Sequence, residues 1–134
     1  MSELKNQISQ FIDTNAKLYQ DISLAIHAKP EVSDFEYFAS QTLSEQLKKE
    51  GFEIELPAAG HRTGFAATYK SNKPGPTVVF LAEYDALAGL GHGCGHNVFG
   101  ATSSLASAAL KSIVDQIGGE VRVYGTPGEE GGQN

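Results

Sequence analysis

Residues 77–82, Thr77-Val78-Val79-Phe80-Leu81-Ala82, form a continuous apolar run. A short run of this kind, rich in β-branched and aromatic side chains, reads as a strand buried on both faces. A glycine-rich loop, Ala88 to Gly95, follows it. Beyond the loop, Val98, Ala101, Leu105, Ala108, Ala109 and Ile113 recur at helical spacing between Val98 and Ile117, and Gly118-Gly119 ends that helix. Its many alanines and serines permit close packing on a sheet. Glu120 to Tyr124 reads as a strand again. Strand, helix and strand in this order make a βαβ unit, a parallel crossover with its helix on one sheet face. In open α/β sheets ligands sit beyond the carboxyl ends of the strands. Two unusual loops leave from those ends, Glu83 to Asn97 and Thr126 to Asn134.

Upstream of this unit the chain is helical. Leu4, Ile8, Phe11, Ile12, Leu18, Tyr19, Ile22 and Ile26 share one face at spacings of three, four and seven, and Pro30 limits that helix. Ser33 and Glu36 match a capping box, S-x-x-E, for a second helix carrying Phe35, Phe38, Ala39, Thr42, Leu43 and Leu47 on one side; Gly51 stops it. Phe52 to Leu56 and Gly64 to Tyr69 read as short strands, and Asn72 to Pro76 as a turn. The fold class expected is α/β: N-terminal helices followed by a partial, mostly parallel sheet with a βαβ crossover. Neither an internal repeat nor a linker is visible.

The chain has 134 residues, 40% hydrophobic and 19% charged, which suits one globular domain rather than a disordered chain. A net charge of -6 argues against a nucleic-acid partner, which needs a basic surface. It does not oppose cation binding, for which carboxylates are hard ligands. Cys94 is the single cysteine, so no internal disulfide forms, and a lone thiol suits a reducing compartment. Met1 to Gln10 lacks the unbroken apolar core of a signal peptide, and no apolar run is long enough to span a membrane. The expectation is a cytoplasmic protein without a membrane partner.

Three clusters carry chemistry. In Gly91-His92-Gly93-Cys94-Gly95-His96 a thiol and an imidazole two residues apart suit zinc and similar metals, and flanking glycines let the backbone turn. The loop runs into a helix N-terminus, which favours a deprotonated thiol. The same residues also read as a buried small filler and exposed loop polars. In Thr126-Pro127-Gly128-Glu129-Glu130-Gly131-Gly132 adjacent carboxylates can divide roles, one binding metal and one moving a proton; the bland reading is a solvated acidic turn. Asp85, in Glu83-Tyr84-Asp85, either orients a ligand histidine from behind or caps a turn at the strand end. His92 lines the site without binding metal or is a loop polar; His27 and His61 read as structural or surface residues.

Other motifs fail on spacing. His92 and His96 occupy the two glycine positions that a nucleophile elbow around Cys94 needs. Gly125 to Gly132 has no phosphate-binding lysine, and no dinucleotide fingerprint follows Ala82.

Taken together and in order, Ala82-Glu83-Tyr84-Asp85-Ala86-Leu87, Gly91-His92-Gly93-Cys94-Gly95-His96-Asn97 and Gly125-Thr126-Pro127-Gly128-Glu129-Glu130-Gly131-Gly132 resemble the aminoacylase and carboxypeptidase-type metallo-amidohydrolases. The branch most similar contains aminobenzoyl-glutamate hydrolase, hippurate hydrolase and related dipeptidases, and His27 to Ser33 resembles its helix-to-helix corner. The resemblance spans nearly the whole chain and implies a zinc-dependent exopeptidase catalytic domain. It implies that Cys94 bridges two metal ions, that His96 and Glu130 are metal ligands, that Glu129 is the general base acting on the attacking water, and that Asp85 steers a metal ligand or the metal pair. Glu83 falls where more distant relatives carry a ligand histidine, so the cysteine-using branch fits better. Ala88 stands in place of a usual proline, Gly128 of an alanine and Asn97 of a common aspartate; none removes a ligand group.

Family members are longer than this chain. They carry two more ligand histidines beyond the paired glutamates, and a lid domain that dimerises and helps bind the substrate carboxylate. The expectation is therefore that residues 1–134 form the N-terminal part of such a catalytic domain, lacking the lid and the C-terminal part. The activity implied is hydrolysis of an amide bond in N-acyl amino acids or dipeptides, aminobenzoyl-glutamate-like substrates among them, with a divalent metal (zinc or manganese, two ions in the full-length family). With three ligand candidates, this chain alone is expected to turn over little substrate, and its sheet to keep an exposed edge that invites association. Two alternatives stand beside this one: an inactive fragment or interaction piece, and a cysteine hydrolase using Cys94 as nucleophile without metal.

Overall fold

The structure, a computed structural model, describes residues 2–131. Residues 132–134 of the last loop, Gly132 of its motif included, lie outside the described residues, as does Met1. Three helices and four strands follow in the order α1 (Ser2–Ala28), α2 (Tyr37–Lys49), β1 (Glu53–Glu55), β2 (Phe65–Lys70), β3 (Thr77–Ala82), α3 (His96–Ile117) and β4 (Glu120–Gly125).

The strands make one sheet in the order β1-β2-β4-β3. β3 and β4 are parallel, with Thr77 opposite Glu120 and Ala82 opposite Gly125, and α3 is the crossover between them. The other two pairings are antiparallel, so the sheet is mixed rather than mostly parallel. The short 56–64 connection between β1 and β2 dictates this, because neighbouring strands joined by a short loop must run in opposite directions.

The core forms on the helix side of the sheet. Phe65 and Ala67 of β2 and Val121 and Val123 of β4 are buried there, against Leu43 and Leu47 of α2, Ala101 and Val114 of α3, and Tyr19, Ile22 and Ile26 of α1. Helix α1 packs chiefly on α3. The approach of α3 to the rest is close at Gly100, where an added Cβ would stand 2.9 Å from Leu43 Cδ1 and 3.0 Å from the Glu83 carbonyl oxygen. That contact brings the start of α3 against the carboxyl end of β3.

Strand β3 departs from its sequence signature. Val78, Val79 and Leu81 are 39%, 42% and 52% exposed. The run is apolar enough for a strand covered on both faces, yet it is the last strand of the sheet and pairs on one side only. Among the described residues its other side is therefore unpaired.

The start of α2 also differs from expectation. Ser33 and Glu36 do not form a capping box; Glu36 occupies the N-cap position but makes no side-chain capping bond. The Glu31 carboxylate does that work instead, accepting from the amides of Phe38 and Ala39 at 2.9 Å each. A carboxylate at a helix N-terminus satisfies orphan donors and meets the positive end of the helix dipole. Ser33 and Glu36 are both drawn inward to other partners.

Replacing Glu31 by Ala is expected to lower stability by about 1–2 kcal/mol, the usual worth of a helix N-cap. Urea denaturation reads this directly; an unchanged midpoint would mean that water caps the helix equally well.

Candidate metal centre

The site is built where the two parallel strands end. Thr126 N–H donates to the Ala82 carbonyl at 2.9 Å, so the loop after β4 starts in register with the loop after β3. Glu83, Tyr84 and Asp85 continue from β3; the chain then turns through residues 87–95 and enters α3 at His96. Gly95 precedes the helix in the left-handed region, at φ 87°, a conformation that glycine adopts without strain. Helix α3 thus begins two residues before its apolar pattern does, and His96 lies in its first turn.

Asp85 is fully buried and gathers three segments. One carboxylate oxygen faces His96 Nδ1 at 2.7 Å. The other accepts from Ser33 Oγ at 2.9 Å and from the Glu130 amide at 2.8 Å. The main-chain carbonyl of Asp85 also lies 3.1 Å from His96 Nδ1. A histidine so held carries its proton on Nδ1 and presents Nε2 outward, the arrangement in which a carboxylate orients a metal-binding imidazole.

Nε2 looks into a ring of carboxylates. It lies 2.9 Å from Glu83, 3.8 Å from Glu129 and 3.9 Å from Glu130. Two groups of three donors meet a metal-site geometry: Cys94, His96 and Glu130, and Glu83, His96 and Glu129, each with its ligand atoms within 4.8 Å of one another. The sequence-predicted ligands therefore converge, and so do Glu129 and Asp85. Glu83 joins them, a residue to which the sequence reading gave no role beyond noting that more distant relatives carry a ligand histidine there.

Titration follows from this crowding. Burial by itself would depress the His96 imidazole, but the hydrogen bond and charge of Asp85, with Glu83 behind it, raise its pKa overall. Burial lifts Glu83 above the usual carboxylate range, opposed by His96 and reinforced by Glu129, Asp85 and Glu130. The Cys94 thiol is also pushed up, first by burial and then by Glu130. That opposes the expectation of a thiolate favoured by the helix N-terminus: the His96 amide at the start of α3 does favour the thiolate, but desolvation of the sulfur, with Glu130 added to it, outweighs that amide. The fit to a divalent cation is good on these grounds. One thiol, one oriented imidazole and three carboxylates of like charge converge, and a cation among them reverses every one of the repulsions.

His92 is nearly buried and stacks on His27 with ring centroids 6.2 Å apart; neither ring nitrogen of His92 has a hydrogen-bond partner among the described residues. It belongs to neither donor group. No described helix is long and apolar enough to cross a membrane.

The raised His96 pKa carries a stability consequence. Its contribution is fully present below the ordinary imidazole range and is lost as pH rises through the elevated value. In Asp85→Asn the larger supporting charge is gone while burial and Glu83 remain, so the His96 pKa is expected to fall. An NMR titration of the imidazole measures it; an unmoved titration would mean that Asp85 does not govern His96.

No family model matches the chain. It is 34% identical to one component of the p-aminobenzoyl-glutamate hydrolase of Escherichia coli K12, over 98% of this chain and 31% of that protein. Mouse Xaa-Arg dipeptidase is 35% identical, over 96% of this chain and 33% of its own length. The chain thus spans about a third of the curated relatives it matches. Among solved structures, one from methicillin-resistant Staphylococcus aureus described as an aminohydrolase superposes with a TM-score of 0.79 at 27% identity, covering 91% of this chain and 34% of that one. A Bacillus subtilis dinuclear metal-binding peptidase of the M20 family shares the fold, with a TM-score of 0.65 at 24% identity over 94% of this chain and 37% of its own. By these likenesses the chain is similar to the N-terminal third of amidohydrolases and dipeptidases, and its fold is that of the M20-family peptidase.

Proposed function

We propose that residues 1–134 supply the N-terminal part of the catalytic domain of a metal-dependent amidohydrolase, which cuts the amide bond of N-acyl amino acids or dipeptides. The observation that carries this reading is the convergence of Cys94, His96 and Glu130 within 4.8 Å, with His96 oriented by a buried carboxylate. The names of the relatives point to aminobenzoyl-glutamate-like and dipeptide substrates.

Cys94, His96 and Glu130 would hold zinc or manganese, with further ligands from outside this chain completing a two-ion centre. The other donor group, Glu83, His96 and Glu129, uses the same imidazole and offers two hard oxygens without sulfur, so it competes with the first for His96 Nε2. A thiolate and an imidazole suit zinc better than oxygen donors do, which favours the group containing Cys94. When bound, such a cation polarises the scissile carbonyl and acidifies water. Glu129 takes the proton of the attacking water and delivers it to the leaving nitrogen. Its side chain is half exposed, so it can reach both. Asp85 acts through His96, holding its Nδ1 proton and keeping Nε2 free.

The purified chain, prepared without chelator, is expected to bind zinc or manganese with little turnover of its own. Metal analysis should show loss of that ion in Cys94→Ala and Glu130→Ala and retention in Glu129→Gln. Loss in Glu129→Gln instead would move the ion to the group containing Glu83, and a parent chain that takes up no ion under saturating metal would sink the reading. In the completed enzyme, Glu129→Gln should lower kcat by about 10²–10⁴-fold, the usual worth of a general base.

A further inference from the structure

Glu36 and Asp85 are the two fully buried carboxylates among the described residues, and the chemistry above gives Glu36 no part. It is fully buried although it opens a helix, a position that normally faces water. Burying a carboxylate is costly unless hydrogen bonds hold it, and here the bonds have a direction. One oxygen accepts from Thr63 Oγ at 3.0 Å; the other accepts from the Gly128 amide at 2.8 Å. Thr63 is itself buried, and its carbonyl accepts the hydroxyl of Tyr84, a fully buried residue between Glu83 and Asp85. One side of the carboxylate is therefore anchored in the core, and the other reaches 92 residues along the chain to the loop bearing the paired glutamates.

That loop is pinned at alternate residues. Thr126 N–H is held by Ala82, Gly128 N–H by Glu36 and Glu130 N–H by Asp85. Glu129 lies between the last two pins, with a half-exposed side chain and its closest charged contact 3.8 Å away at His96. Its placement, and that of Glu130, comes from the backbone.

We propose that Glu36 is a positioning residue for the metal centre: through Gly128 it sets where Glu129 and Glu130 stand relative to Cys94 and His96. This rests on the metal reading above. The role is one of reach, not of charge. A glutamine has the same reach and one oxygen for the Gly128 amide, while its amide nitrogen can face the Thr63 hydroxyl, which accepts as well as donates. An aspartate keeps the charge but is one methylene shorter and cannot span Thr63 and Gly128 together.

Cobalt(II) titration of the chain, followed by the charge-transfer band of the Cys94 thiolate, tests this without any turnover. Glu36→Gln is expected to bind cobalt within about twofold of the parent, and Glu36→Asp about tenfold more weakly or worse, a difference of roughly 1.4 kcal/mol. The reverse order would show that Glu36 acts through its charge, and equal affinities that the pin is dispensable; either overturns the proposal. Circular dichroism checks that each variant is folded. Should Glu36→Asp not fold, Thr63→Val carries the test, since it frees the anchored oxygen: exchange of the Gly128 amide should quicken and cobalt affinity fall, and no change in either overturns the proposal. A parent chain without the cobalt band overturns the metal reading and this inference with it. A parent that binds, beside a Glu36→Asp variant that binds equally, overturns this inference alone.

Discussion

The carboxylate of Asp85 faces the imidazole of His96, the hydroxyl of Ser33 and the amide of Glu130 at once. These partners come from the first turn of α3, the corner between α1 and α2, and the loop after β4. Without that charge, three segments would lose the one group to which all of them point. Charge-assisted hydrogen bonds are stronger than neutral ones, and the Asp85 carboxylate, being fully buried, has these donors in place of water. The cost of burying Asp85 is thus offset by donors supplied from each segment, and the same bonds that stabilise the carboxylate fix the geometry of the site.

The electrostatics of the site point in one direction. His96 is held toward its protonated form by Asp85 and Glu83, and the Cys94 thiol is held toward its neutral form by burial and Glu130. Both states oppose metal binding, since a ligand imidazole must be neutral and a ligand cysteine ionised. Cation entry must therefore displace a proton from each. When protonated, His96 between Asp85 and Glu83 supplies a positive charge that the ring of carboxylates otherwise lacks. In the proposed centre, proton and metal would compete for the same cluster of negative charge.

How legible this was in the sequence depends on the range of the interaction. The βαβ unit is written in the apolar run at Thr77–Ala82, the small-residue face of α3 and the glycines that end it, and these patterns fixed which two loops share an end. The convergence of Cys94, His96 and Glu130 followed from that placement. What escaped were contacts whose partners lie far apart. Ser33 and Glu36 have the local spacing of a capping box, but each has a buried partner elsewhere, Asp85 and Gly128. Glu31, with no local signature, takes over the cap because the turn at residues 29–36 bends back along residues 85–87, where the Ala86 amide donates to the Glu31 carbonyl. Asp85 keeps two readings in the sequence, a support behind a ligand histidine or a turn cap, for the same reason: nothing in its neighbours announces the serine 52 residues before it. β3 misled in the opposite sense, since composition records what a strand is built to touch and cannot say that it stands at an edge.

The division of labour between α2 and the sheet follows from these long contacts. Glu31 and Glu36 flank the same turn, yet one binds outward to the helix amides and the other inward to Thr63 and the loop after β4. The corner between the first two helices is thereby tied both to the helix it starts and to the loop that carries the paired glutamates. The same corner thus holds both the Gly128 amide, through Glu36, and the Asp85 carboxylate, through Ser33. The donors of the centre come from two loops and the first turn of α3, but the frame that holds them includes a helix corner remote in sequence, and a substitution of Glu36 there acts on the centre through a backbone amide rather than through a ligand.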